Sequence, residues 1–87
     1  MTEAPLLVLA KITAILDAFT LERPSMTATD IRRATGIPAS TAHRLLGNLV
    51  EHGFLDRSGD AYAIGARMAF WAGPAVRARA LGDLLPP

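Results

Sequence analysis

Ser40, Thr41, His43, Arg44 and Asn48 fall within one short stretch, and each side chain offers hydrogen bonds to a partner. Arg44 carries two parallel donors that match the O6 and N7 acceptors of guanine, and the hydroxyls at 40 and 41 suit a base edge or a phosphate. This is the chemistry of recognition rather than of bond making. Ser40, Thr41 and His43 share one helical segment with no acidic residue in reach, so no nucleophile, base and orienting group assemble, and no catalytic residue is assigned. The chain has no Cys, which removes thiol catalysis, disulfides and cysteine-ligated zinc or iron–sulfur sites. His43 and His52 lie half a turn off a common helix face, with no ligand pair at i, i+4 spacing, so neither a metal site nor a cofactor is expected.

The recognition groups need a helix to hold them. From Ala39 to His52, residues Ala42, Leu45, Leu46, Leu49 and Val50 share one side, which predicts a helix buried along that stripe. Ser40, Arg44, Gly47 and Glu51 then stand directly opposite, flanked by Thr41, His43 and Asn48. Gly47 adds no bulk, which lets such a helix sit deep in a groove, and the free amides at its start favour a phosphate. Gly36-Ile37-Pro38 leaves room only for a tight turn, so the preceding helix must cross this one steeply. That preceding helix is predicted over Ala28 to Thr35, with Thr27 as N-cap paired to Asp30 and Gly36 as the stop. It is expected to bury Ala28, Ile31 and Ala34 and to expose Thr29, Asp30, Arg32 and Arg33.

Outside this pair, Leu6 to Thr20 predicts a helix with Val8, Ile12, Ile15, Leu16 and Phe19 on its core face. Leu7, Ala10, Ala14 and Ala18 form a second, mostly small-residue stripe that admits another helix closely. Leu21 to Met26 reads as a loop around Pro24. After Gly53, Phe54 to Arg57 and Ala61 to Ile64 read as two strands joined by Ser58-Gly59-Asp60. Gly65 releases a last helical pattern from Ala66 towards Leu85, with a kink or restart expected near Gly73 and Pro74.

A chain of 87 residues makes one small domain, and 51% hydrophobic residues is high for a protein of that size. The excess lies in the first helix and in Met68, Phe70 and Trp71, so it suggests one small core plus part of an interface. A net charge of +1 neither demands nor excludes nucleic acid. The distribution is more informative, because Arg32, Arg33, Arg44 and Arg57 fall on the two helices and the hairpin, tempered by Asp30, Glu51 and Asp56. Lys11, Thr13 and Asp17 break the longest apolar stretches, so no membrane-spanning segment is expected. Met1 to Pro5 lacks the basic flank of a signal peptide, which favours the cytoplasm.

The order helix, helix, tight turn, helix, two-stranded hairpin is that of a winged helix-turn-helix: a mainly α fold with a small β-hairpin, followed here by a C-terminal helix. The helix after the turn is then the candidate reader of the DNA major groove. Gly36-Ile37-Pro38-Ala39-Ser40-Thr41-Ala42-His43-Arg44-Leu45-Leu46, followed by Gly53-Phe54-Leu55-Asp56-Arg57, resembles the DNA-binding domain of the IclR family of bacterial transcriptional regulators. Thr27-x-x-Asp30-Ile31, Tyr62-x-Ile64-Gly65 and the segment from Ile12 to Phe19 extend the resemblance over nearly the whole chain.

The resemblance implies a winged helix-turn-helix DNA-binding domain over residues 1–65. It implies a linker helix over 66–87 that leads to an absent effector domain, through which alone a small-molecule effector would act. It further implies binding to double-stranded DNA, at a palindromic operator, as a homodimer able to pair into tetramers. The DNA-contact set becomes Thr29, Arg33, Ser40, Thr41, His43, Arg44, Asn48, Arg57 and Tyr62. Leu7, Ala10, Ala14, Ala18, Phe70 and Trp71 are expected at a dimer interface, the first-helix stripe meeting either a partner chain or the linker helix. Ala39 and Gly47 stand where relatives often carry a basic or long polar residue, which implies fewer phosphate contacts and a shallower salt dependence. Pro74 within the linker helix would alter the spacing of the dimer halves. The rival reading is a winged-helix dimerisation or protein-interaction module, but such a module would present apolar anchors where Ser40, Thr41, Arg44 and Asn48 stand.

Overall fold

The computed structural model describes the backbone of residues 3–82 and the side-chain surroundings of residues 7–79. The chain runs α1 (Glu3–Asp17), β1 (Ser25–Thr27), α2 (Ala28–Thr35), α3 (Ala39–Glu51), β2 (Leu55–Ser58), β3 (Ala61–Ile64) and α4 (Ala66–Gly82). The three strands form an antiparallel sheet in the order β1-β3-β2. Ile15, Met26, Ile31, Leu46 and Leu55 are almost wholly buried, one from each of α1, β1, α2, α3 and β2. Ile37 of the turn and Tyr62 of β3 also lie in the core, to which α4 adds no buried side chain among the described residues.

The helix pair at the centre follows from local chemistry. Thr27 caps α2 reciprocally: the Asp30 N–H donates to Thr27 Oγ1 at 3.2 Å, and the Thr27 N–H donates to Asp30 Oδ2 at 3.1 Å. Gly36, at φ 76°, closes the helix with its N–H donating to the Arg32 carbonyl at 2.8 Å. The Thr27 backbone hydrogen bond is the main reason the Asp30 carboxyl titrates below its ordinary value, helped by the Thr27 hydroxyl and the Arg23 guanidinium 3.7 Å away. Removing the cap with Thr27→Ala is expected to lower stability by about 1 kcal/mol, measured by urea unfolding at neutral pH. Because folding lowers the Asp30 pKa, its contribution is present above the unfolded carboxylate pKa. It is lost as pH falls through the folded value, and because the backbone N–H at position 27 survives the substitution, only the smaller share owed to the hydroxyl distinguishes variant from parent in acid.

Several expectations are corrected. The first helix ends at Asp17 rather than Thr20, because the Phe19 N–H turns back to the Leu16 carbonyl and Thr20 and Arg23 exchange backbone hydrogen bonds. Val8, expected on the core face, is exposed, as the early turns of α1 reach past the body of the domain. Ala34 is exposed too, since short α2 covers the core through Ile31 and part of Ala28. The predicted loop before Thr27 contains strand β1, with Met26 opposite Tyr62 and both side chains buried. Strand β2 starts at Leu55 and reaches Ser58, one residue later than predicted at each end.

The last helix passes through Pro74 without a restart. Proline removes one backbone donor there, and Gly73 before it has no Cβ to meet the ring, so the helix is continuous. The predicted continuation towards Leu85 lies outside the described residues.

Candidate nucleic-acid interface

Helix α3 presents the candidate residues because its other side is anchored. Ala42, Leu45, Leu46 and Leu49 are buried, as predicted, and Val50 is half-buried against the same core. Ser40, Arg44, Gly47 and Glu51 make up the outer line with His43 and Asn48 exposed beside it, while Thr41 is half-buried at the edge. The helix is locked at its C-terminal end by a pair of nested hydrogen bonds. The Gly53 N–H donates to the Val50 carbonyl at 3.1 Å and the Phe54 N–H to the Leu49 carbonyl at 2.8 Å, with Gly53 in the left-handed conformation this closure requires.

The N-terminal end is left open. Pro38 is the N-cap and supplies no side-chain hydrogen bond, so the first amides of α3 keep their donors for an outside acceptor. Beside them lies an open hollow lined by Thr29, Arg32, Arg33, Gly36, Ile37, Pro38 and Ala39. The turn between the helices is stiffened by Thr35, whose hydroxyl donates to the Ile31 carbonyl at 2.8 Å and accepts from the Ile37 N–H at 3.3 Å. Buried Ile37 pins the turn from below.

Among the described residues the one ion pair within 4 Å joins Arg23 to Asp30. The guanidinium groups of Arg32, Arg33 and Arg44 are therefore uncommitted to a carboxylate, and Arg44 is not paired with Glu51. Asp30 faces its cap and Arg23, which keeps its charge engaged within the chain. Arg32 belongs with Arg33 at the hollow although it stands outside the candidate contact set. Its signal in the sequence was its place beside Arg33 in the last turn before Gly36. The role of Thr35 carried no such signal, since a hydroxyl at a helix end suits solvent equally well.

The hairpin contributes differently from expectation. Arg57 is exposed, and its Nε donates to the Gly59 carbonyl at 2.9 Å, while its guanidinium carbon lies 5.5 Å from the Tyr62 ring centroid. Tyr62 itself is only 8% exposed, because β3 is the central strand and its side chain faces the core beside Met26. It serves as the platform for Arg57 rather than as an outward group.

The expected interface set also divides. Leu7 is 53% exposed, Phe70 79% and Trp71 50%, whereas Ala14 is half-buried and Ala18 packs against the chain's own core. Ala10 is exposed. Trp71 meets Phe54 edge to face at 5.2 Å between ring centroids, which ties the start of α4 to the end of the α3 closure. Among the described residues no helix is long and apolar enough to cross a membrane, and no three potential ligands among His, Cys, Asp and Glu group closely enough to hold a metal ion.

The IclR helix-turn-helix domain matches residues 8–59 of the chain. The HTH-type transcriptional regulator KipR of Bacillus subtilis (strain 168) is 39% identical over 56 residues, which span 63% of this chain and 22% of that protein. The crystal structure of an IclR homolog from Microbacterium sp. strain HM58-2 superposes with a TM-score of 0.75 at 34% identity, covering 83% of this chain and 32% of that one. An IclR homolog from Microbacterium hydrocarbonoxydans, crystallised with 4-hydroxybenzoate, gives a TM-score of 0.68 at 35% identity over 75% of this chain and 27% of its own. The chain thus spans less than a third of the length of these relatives. With the family's domain matched over the tight turn, both of its helices and the start of the hairpin, the chain belongs to the IclR family of transcriptional regulators and carries its DNA-binding winged helix-turn-helix domain.

Proposed function

We propose that the domain reads the major groove of double-stranded DNA through α3, with Ser40, His43, Arg44 and Asn48 at base edges or phosphates. Thr41 stands at the margin of that surface. The hollow lined by Thr29, Arg32 and Arg33 receives a phosphate beside the open amides of α3, and Arg57, braced on Tyr62, meets the backbone or minor groove from the hairpin. The observation that carries this reading is the outer line of α3, where every hydrogen-bonding side chain is exposed and Arg44 has no ion-pair partner among the described residues. A protein-docking face would need apolar anchors along the same line.

Arg44→Ala is expected to weaken binding to a selected duplex by about 1–3 kcal/mol, roughly 5- to 150-fold, with the melting temperature unchanged because Arg44 is exposed. Electrophoretic mobility shift beside thermal unfolding measures both quantities. Equal affinity in the variant would remove Arg44 from base reading.

We further infer that the domain works as a homodimer on a palindromic operator, with residues 66–87 forming the start of a linker. Leu7, Ala10, Phe70 and Trp71 support the dimer, since they are exposed, the first two on the early turns of α1 and the others on α4, away from the buried core residues. Sedimentation velocity at rising concentration is expected to show a monomer giving way to a dimer. A monomer at the highest concentration reached would count against pairing through these residues.

A further inference from the structure

Seven glycines occur in the chain, and the structure gives a reason for five of them. Gly36, Gly53 and Gly59 stand at positive φ, and Gly65 backs directly onto the Gly53 carbonyl. Gly73 precedes a proline inside a helix, where a Cβ is disfavoured, and Gly82 stands at the limit of the described residues. Gly47 has none of these reasons. It lies in the interior of α3 at negative φ, and a Cβ built on it would meet nothing within 4 Å. A glycine in that place costs helix stability relative to alanine, and the fold gains nothing in return.

The cost falls at a telling position. Gly47 follows Arg44 by three residues on the outer line of α3, the surface assigned above to DNA. A glycine inside a helix is useful when something outside must come close to the backbone. We propose that Gly47 is the point of closest approach between α3 and the duplex, its missing side chain letting the middle turn of the helix seat against the groove while Arg44 reaches a base edge. The proposal rests on the DNA-reading assignment and goes beyond it, because it names a steric determinant that makes no hydrogen bond.

The test compares the parent chain with Gly47→Ala and Gly47→Leu, measuring thermal unfolding and affinity for a duplex selected by the parent. Both variants remove a helix-interior glycine from open space, so the melting temperature is expected to rise, by about 4–8 °C for alanine. Affinity is expected to fall by about tenfold for alanine and further for leucine, which is bulkier and can make no compensating phosphate contact. Opposite movement of the two readouts is the signature, because a merely structural glycine would move them together. Affinity unchanged in both variants would overturn the proposal while leaving the reading assignment standing. A fall in melting temperature alongside weaker binding would overturn it as well, since the glycine would then serve the fold. If the parent itself selected no duplex, the DNA-reading assignment would fall, and this inference with it.

Discussion

Leu46→Ala is expected to remove about 2–5 kcal/mol of stability, a large share of what holds so small a domain together. Leu46 is 1% exposed and stands on the buried side of α3, in a core to which α1, α2, β1, β2 and β3 also contribute. A chain of 87 residues holds its fold by roughly 4–13 kcal/mol in total, so the lower part of that range is within reach of this one truncation. The same residue fixes the outer line indirectly, because Arg44 faces outward only while Leu45, Leu46 and Leu49 hold the opposite side. Urea unfolding at 25 °C gives the loss directly. A loss below about 1 kcal/mol would mean that α3 is seated by something other than this core.

Gly65→Ala should be nearly as damaging for a different reason. A Cβ at this position would strike the Gly53 carbonyl oxygen and lie 2.9 Å from the carbonyl carbons of Gly53 and Phe54, all of them backbone atoms that cannot rotate away. The Gly65 N–H also donates to the Phe54 carbonyl at 2.8 Å, so the collision falls on the hydrogen bond that joins the end of β3 to the closure of α3. Overpacking of this kind is expected to cost about 3 kcal/mol. Trp71 is the sole tryptophan and meets Phe54 edge to face, which makes its fluorescence a local reporter of the same junction. The variant should show both reduced stability and a shifted emission below its unfolding transition. Parent-like stability with unchanged emission would contradict the close approach.

Helix α3 and its closure were the most legible parts of the chain. Five apolar residues at helical spacing, a glycine and a proline before them and another glycine after them leave one way to place that helix, and Arg44 then has to face outward. Strand β1 was not legible, because Ser25-Met26-Thr27 has no alternation long enough to signal a strand. It becomes one only where the open edge of β3 accepts it. The same non-local pairing decides the fate of Tyr62, since a tyrosine on an edge strand of a hairpin has a free choice of side and one on a central strand does not.

Val8 and Ala34 illustrate a second limit. Periodicity shows which face of a helix is apolar, but not how far the rest of the domain extends beneath it. Val8 lies past that edge on α1, and Ala34 lies past it on α2. For the candidate site, the residues of α3 could be placed from spacing alone. The hollow beside Thr29, Arg32 and Arg33 could not, because it depends on how two helices meet across the turn that Thr35 and Ile37 hold.

The central claim, that α3 and the hairpin read duplex DNA, is tested most directly by selecting bound sequences from a random duplex pool with the parent chain. The expected result is an enriched consensus of two inverted half-sites, reflecting paired copies of the reading helix on one face of the duplex. A pool that shows no enrichment after repeated rounds, or a chain that retains all sequences equally, would contradict sequence reading by this domain.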